Sequence, residues 1–177
     1  MMKLSDFIRS FIGMKNITYL LLFLGFSTLH AQNTKDKEAI TTVLNAWHKA
    51  AADAKMEDYF GYMAPDAIYI GTDATENWTF AEFRAFAKPY FDRGKAWNFT
   101  ALQRNIYLSK DQKMAWFDEL LDTQMKICRG SGVLQKINGQ WKIVQYVLSM
   151  TVPNENSDAV VKIKEGLENK LIDQLRK

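Results

Sequence analysis

The chain has one cysteine, two histidines and almost no excess of charge, and each scarcity removes a class of function. A lone thiol, Cys128, cannot pair within the chain, so no disulfide framework holds the fold. So few His and Cys side chains cannot assemble a zinc-type ligand cluster, and no metal site is expected. There is no glycine-rich phosphate loop, no Gly-x-Ser-x-Gly elbow and no paired-cysteine redox motif, so no cofactor is implied. The formal charge of +3 shrinks past residue 31, because Lys3, Arg9 and Lys15 against Asp6 leave 20 basic and 19 acidic side chains behind. A domain so balanced, with no Lys or Arg run interleaved with aromatics, lacks the surface that a nucleic-acid backbone requires.

What remains is an ordinary globular inventory, 47% hydrophobic and 24% charged over 177 residues, which fits one core. No repeat, low-complexity tract or interdomain linker divides it. The N-terminus reads as an export signal: a polar start at Met14, Lys15 and Asn16, an apolar run from Ile17 to Phe26, and STLHA ending in a small residue at Ala31. Cleavage is expected after Ala31, with translation beginning at Met1 or Met14. The apolar run is shorter than the roughly 20 helical residues that cross a bilayer, so no membrane attachment is expected after cleavage. No cysteine near the signal's end could take a lipid. The mature protein is expected in the periplasm or secreted.

Helical spacing of Ile40, Val43, Leu44, Trp47 and Ala51 predicts a first helix to about Ala54, and MEDYFGYM (56 to 63) a second, ended by Pro65. AIYIG (67 to 71) reads as a short strand, and a further helix is expected from Phe80 to Asp92. Four β-rich runs follow, 97 to 109, 113 to 123, 127 to 137 and 140 to 152, with Asn138-Gly139 as a two-residue hairpin turn. After Pro153, Val160, Ile163, Leu167, Leu171 and Leu175 mark one side of a C-terminal helix. The implied division is a signal at 1–31, a domain at 32–155 and a C-terminal amphipathic helix at 156–177.

The acidic stretch YIGTDATENWTFAEF (69 to 83) is mostly architecture. Thr79 and Glu82 have capping-box spacing, with Trp78 and Phe83 placed as a hydrophobic staple. Asp73 suits a turn in which its carboxylate takes a local backbone donor. Glu76 is left over.

IYIGTDATENWTFAEFRAFAKPYF (68 to 91), the tryptophan strand AWFDE (115 to 119), RGSGVL (129 to 134) and NGQWKIVQYVLS (138 to 149) resemble, in order and spacing, the SnoaL-like branch of the nuclear transport factor 2-like superfamily, as an exported bacterial member. The resemblance covers most of residues 35 to 153. It implies an α+β fold, a cone-shaped curled antiparallel sheet closed by the N-terminal helices, with a pocket between sheet and helices and often a homodimer on the sheet's outer side. It implies no single reaction, since the superfamily spans isomerases, cyclases, dehydratases and adaptors.

Pairing Ile137 with Gln140 across the turn places Ser131 opposite Tyr146 and Arg129 opposite Leu148. A turn at Gln124-Met125 places Asp118 opposite Ser131. Asp118, Arg129, Ser131 and Tyr146 then converge on one face, and a slip of one residue substitutes Glu119 for Asp118. Two readings compete. In one, Asp118 or Glu119 is an acid or base on an enolisable substrate, and Tyr146 donates to a developing oxyanion. In the other, Arg129 holds the carboxylate in an ion pair, which keeps it charged and disables a base. His48 stands alone on the first helix as a helix-face or pocket-rim residue. Tyr69, Trp78 and Trp116 are expected to line the pocket with His48, Arg129 and Ser131, around a small hydrophobic molecule. In the last hairpin Trp141, Ile143 and Val147 alternate with Val144, Tyr146, Leu148 and Met150, so both sheet faces read as apolar. Two covers are then required: helices for the inner face, and the C-terminal helix or a second subunit for the outer one, with a homodimer expected.

Overall fold

The structure, a computed structural model, describes residues 33–177; the expected signal and its expected cleavage point at Ala31 lie outside the described residues. Helix α1 runs through residues 33–52 and buries Ile40, Leu44, Trp47 and Ala51 along one stripe. Helix α2 (Met56–Gly61) buries Tyr59 and Phe60. It ends two residues earlier than expected, because Met63 already opens strand β1 (Met63–Ile70), which runs through Pro65 instead of starting after it. Pairing slips between Met63 and Ile68, so the N–H that proline lacks falls where the ladder is irregular.

Strand β2 (Asn77–Thr79) pairs with β1, Tyr69 opposite Trp78, and leads into helix α3 (Phe80–Asp92). The capping box forms: the Thr79 N–H donates to the Glu82 carboxylate at 2.9 Å, and the Glu82 N–H to the Thr79 hydroxyl at 3.4 Å. Trp78 and Phe83 stack with centroids 5.8 Å apart. Asp73 accepts from the Thr75 N–H, and Glu76 accepts from the Asp73 N–H. Every acid of that stretch therefore has a local structural partner.

Strands β3 (Thr100–Leu108), β4 (Met114–Thr123), β5 (Lys126–Ile137) and β6 (Gln140–Met150) form an antiparallel meander. Asn138 and Gly139 both take positive φ, 50° and 79°, as a two-residue turn requires. The sheet is curled and unclosed, in the order β2-β1-β6-β5-β4-β3. It is mixed where an antiparallel sheet was expected, because β1 joins β6 in parallel; α3 and four strands lie between them in the chain, the long connection a parallel pair needs.

Alternation decides what the helices cover. Ala115, Phe117, Glu119 and Leu121 of β4 and Cys128, Gly130, Gly132 and Leu134 of β5 point inward. In β6 the pairing steps from Leu134–Ile143 to Val133–Gln145, so Val144 is an extra residue. Trp141, Ile143, Tyr146 and Leu148 all become buried on one face, which corrects the alternating assignment read from sequence. Helix α4 (Ser157–Leu175) follows a 3₁₀ turn (Asn154–Asn156), buries none of its residues and, among the described elements, packs against that turn.

Gly130 is required by the Tyr146 ring. A Cβ there would strike the Tyr146 hydroxyl and come within 3.1 Å of Glu119 Cγ, whereas a Cβ at Gly61 meets nothing within 4 Å. Gly130→Ala should lower stability by about 1–3 kcal/mol, and Gly61→Ala should stay within about 0.5 kcal/mol of the wild type. Urea denaturation of both variants checks the contrast.

Candidate functional site

An inward position on β4 places a carboxylate, Glu119, at 1% exposure inside the domain. A buried charge requires partners, and three elements deliver them. Helix α1 brings His48, one turn beyond Leu44, with Nε2 2.8 Å from Glu119 Oε1. Strand β3 places Arg104 directly opposite Glu119, and its Nε donates to Oε2 at 2.8 Å. Across the space left by Gly130, the Tyr146 hydroxyl donates to Oε1 at 3.4 Å. Arg104 Nη1 also donates to Asn45 Oδ1 of α1 at 2.7 Å. Its Nη2 lies 2.7 Å from Glu119 Oε2 but out of line, and has no hydrogen-bond acceptor among the described residues.

Burial alone would raise the Glu119 pKa, and it is the largest single influence. The His48 and Arg104 bonds and charges together outweigh it, so the carboxyl is held below its ordinary range and stays ionised. Burial, then the Glu119 charge, pushes the Tyr146 phenol well above its usual range, which keeps it a neutral donor. Burial does the same to Tyr69.

His48 is 5% exposed and forms part of the wall of a surface cleft of about 340 Å³ with Asn45, Lys49 and Ala52 of α1, Asp53 just beyond it, and residues 98–101 before and within β3. The edge of Phe99 meets the imidazole, ring centroids 6.0 Å apart. Only Nε2 of His48 is engaged; the other ring nitrogen has no hydrogen-bond partner among the described residues. The arrangement is an imidazole oriented from behind by a fixed carboxylate.

The residues named from sequence divide between the two faces. Asp118 does pair opposite Ser131, but both face outward, where Asp118 accepts from Asn105 at 3.0 Å. Because of the extra residue at Val144, Gly132 and not Ser131 stands opposite Tyr146, and Arg129 stands opposite Ser149 instead of Leu148. The expected convergence of Asp118, Arg129 and Ser131 with Tyr146 is thereby corrected: Glu119 shares the inner face with Tyr146. Arg104, not Arg129, is its cationic partner. Trp116 is also outward, half exposed and stacked on Tyr107, since even-numbered β4 residues face away from the helices. Tyr69 is buried against Phe83 at 3.7 Å, and Trp78 stacks on Phe86 at 4.5 Å beside the α3 cap. His48, expected on a helix face or pocket rim, lies in the cleft wall and is also bonded to the buried Glu119. Arg104 and Asn45 were not anticipated. The available signal for Arg104 was a charge in the inward series Arg104, Ile106, Leu108 of β3. Among the described residues no group of three or more His, Cys, Asp or Glu could hold a metal ion.

Residues 40–153 match the SnoaL-like domain family, and the chain belongs to that family. No curated protein matches the chain in sequence. Solved structures share the fold. An NTF2-like protein of unknown function from Pseudomonas putida is 14% identical, with 70% of this chain and 92% of that one covered at a TM-score of 0.57. A cystatin-like domain of unknown function from Nostoc punctiforme is 14% identical over 81% and 96%, TM-score 0.60. A dehydratase candidate of the NTF2-like family from Streptomyces avermitilis is 10% identical over 68% and 99%, TM-score 0.59.

Glu119→Gln should destabilise the domain at neutral pH by about 3–5 kcal/mol, since it leaves Arg104 buried without its counter-charge. The Glu119 pKa is lowered on folding, so its contribution is complete above the ordinary value of 4.5 and is lost as pH falls below it. The stability gap between wild type and variant should therefore close in acid, which denaturant titrations at a series of pH values would read. A gap that widens in acid contradicts the assignment.

Proposed function

We propose that the domain binds a small, largely hydrophobic molecule at the cleft beside His48, with the imidazole as its polar anchor and Phe99 as an apolar wall. The observation that carries this reading is the buried 2.8 Å bond from Glu119 to His48, which fixes the ring and leaves its other nitrogen uncommitted. The cleft's size, about 340 Å³, falls within the roughly 300–1,000 Å³ of small-molecule sites. Membership of the SnoaL-like family agrees with a ligand-binding or enzyme-like domain.

The carboxylate-backed imidazole favours one further reading, acid-base chemistry of the isomerase, cyclase or dehydratase type on a carbonyl or polyketide-like substrate. His48 is then the proton acceptor and Glu119 its positioning partner, because both Glu119 oxygens are already engaged. Tyr146 donates to Glu119 in this arrangement and serves the cluster, not an oxyanion. The reading also takes the protein as exported, to the periplasm or beyond, on the strength of its N-terminal signal pattern.

A thermal-shift panel of sterol-like, aromatic, fatty and polyketide-like compounds tests binding, since a ligand at a hundred times its Kd adds about 2.7 kcal/mol. A stabilising compound should lose its effect with His48→Gln and keep it with Trp116→Ala; equal loss in both would remove the cleft from the reading. Turnover of that compound, abolished by His48→Gln, would separate catalysis from binding. Export is checked on its own by N-terminal sequencing of the protein recovered outside the cytoplasm, where a first residue other than Gln32 contradicts the cleavage site.

A further inference from the structure

We infer that Asn45 is the specificity-determining residue of the cleft beside His48: its side-chain amide donates to an acceptor on the bound molecule, and the two residues together admit neutral hydroxy carbonyl compounds in preference to anions. The inference rests on the reading of that cleft as the binding site and adds a second polar anchor to it. Asn45 and His48 stand three residues apart on α1, so they are neighbours on one side of the helix, and both line the cleft.

Arg104 orients Asn45. A guanidinium has only N–H donors, and Nη1 lies 2.7 Å from Asn45 Oδ1, so the amide oxygen faces the arginine and the NH2 end is turned from it. That NH2 has no hydrogen-bond partner among the described residues. The same guanidinium donates through Nε to Glu119 Oε2 at 2.8 Å, and Glu119 Oε1 holds His48 Nε2 at 2.8 Å. Asn45, Arg104, Glu119 and His48 therefore form a ring of hydrogen bonds closed by one turn of α1. An ionised carboxylate only accepts, so Nε2 carries the proton and Nδ1 of the neutral imidazole is an acceptor. Arg104 sets both anchors from outside the cleft wall and is their positioning residue.

Two anchors of opposite sense define the ligand. Side chains three positions apart on a helix have Cβ atoms about 5–6 Å apart, and each hydrogen bond spans about 3 Å. They converge on two ligand atoms on neighbouring carbons, a carbonyl oxygen toward Asn45 and a hydroxyl toward His48. Charge decides between a ketone and a carboxylate as the acceptor. Lys49 of the cleft wall is paired with Asp53 of the same wall at 2.8 and 3.0 Å, and Arg104 is committed to Glu119 and Asn45. Among the described residues of the wall, no uncompensated cation faces a bound anion.

Isothermal titration calorimetry on the whole chain tests the inference with a matched series. The probes are the β-hydroxy ketone from aldol addition of acetone to benzaldehyde, α-propylbenzyl alcohol, which lacks the carbonyl, and β-hydroxy-β-phenylpropionate, the anion. The hydroxy ketone should bind about tenfold more tightly than the alcohol, the worth of one good hydrogen bond, and more tightly than the anion. Asn45→Asp keeps the oxygen that Arg104 needs, and Asn45→Ala adds no charge. Each should bring the ketone-to-alcohol ratio to about one and leave the Kd of the alcohol within about threefold. Asn45 is exposed, so neither change should alter the circular dichroism. His48→Gln should weaken ketone and alcohol alike. A ratio that survives either Asn45 change overturns the assignment and leaves the cleft reading standing, provided His48→Gln still weakens binding. Binding that none of the three variants alters lies elsewhere and removes the cleft reading as well. Tighter binding of the anion, or no binding of the hydroxy ketone at millimolar concentration, overturns the ligand class.

Discussion

The burial of one carboxylate organises this domain. Glu119 sits where β4 alternation places it, and an ionised group so far from water is tolerable only when each oxygen finds a donor or a cation. Those partners come from α1, β3 and β6, elements far apart in sequence. The requirement therefore fixes the tilt of α1 over the sheet and the register of β3 against β4. It also fixes the residue opposite, since Gly130 alone leaves room for Tyr146. A second buried acid, Asp36, ties the start of α1 to the last hairpin, accepting from Lys136 Nζ at 2.6 Å and Trp141 Nε1 at 3.2 Å. Two carboxylates thus hold the first helix at separate points, and the aromatic interior fills the space between.

Local chemistry made much of this visible in the sequence. The Asn138-Gly139 turn, the Thr79–Glu82 box and the Trp78–Phe83 staple each depend on residues within five positions of one another, and each forms as the residue types require. The pairing of Asp118 with Ser131 followed from a second short turn. What could not be read was the extra residue at Val144. No turn residue or glycine announces it, yet it reverses the parity of the rest of β6 and moves Tyr146 to the face opposite Ser131. Of the two acids the sequence offered, one residue apart, it is Glu119 and not Asp118 that shares the inner face with Tyr146. Arg104 and Asn45 were invisible for a different reason: their roles depend on the separate approach of β3 and α1 to a third element.

The same bulge explains the apparent two-sided hydrophobicity of the last hairpin. Strict alternation divides Trp141 and Ile143 from Tyr146 and Leu148, whereas the bulged strand buries all four together. The true apolar excess on the outer side comes from β3, β4 and the start of β5, not from β6. Only Arg129 and Lys142 among its charges are cationic, so the face presents an aromatic pair, Tyr107 with Trp116, in a setting of low net charge.

The position of the imidazole decides what the inner cluster can do chemically. Glu119 has its two oxygens committed to His48, Tyr146 and Arg104, and its pKa is lowered, so it is a weak base held in the ionised form. Taking a substrate proton would require breaking those bonds inside a low-dielectric interior, which opposes the transfer. Its fixed negative charge can act through His48 instead. A proton arriving at the free imidazole nitrogen creates a cation 2.8 Å from an oriented anion, with no rearrangement of either side chain. In the acid-base reading, proton acceptance therefore falls to His48 at the cleft wall and not to the buried carboxylate. Polar anchoring and acid-base work make the same demand on this geometry, so ligand and turnover, not further inspection of the cluster, separate them.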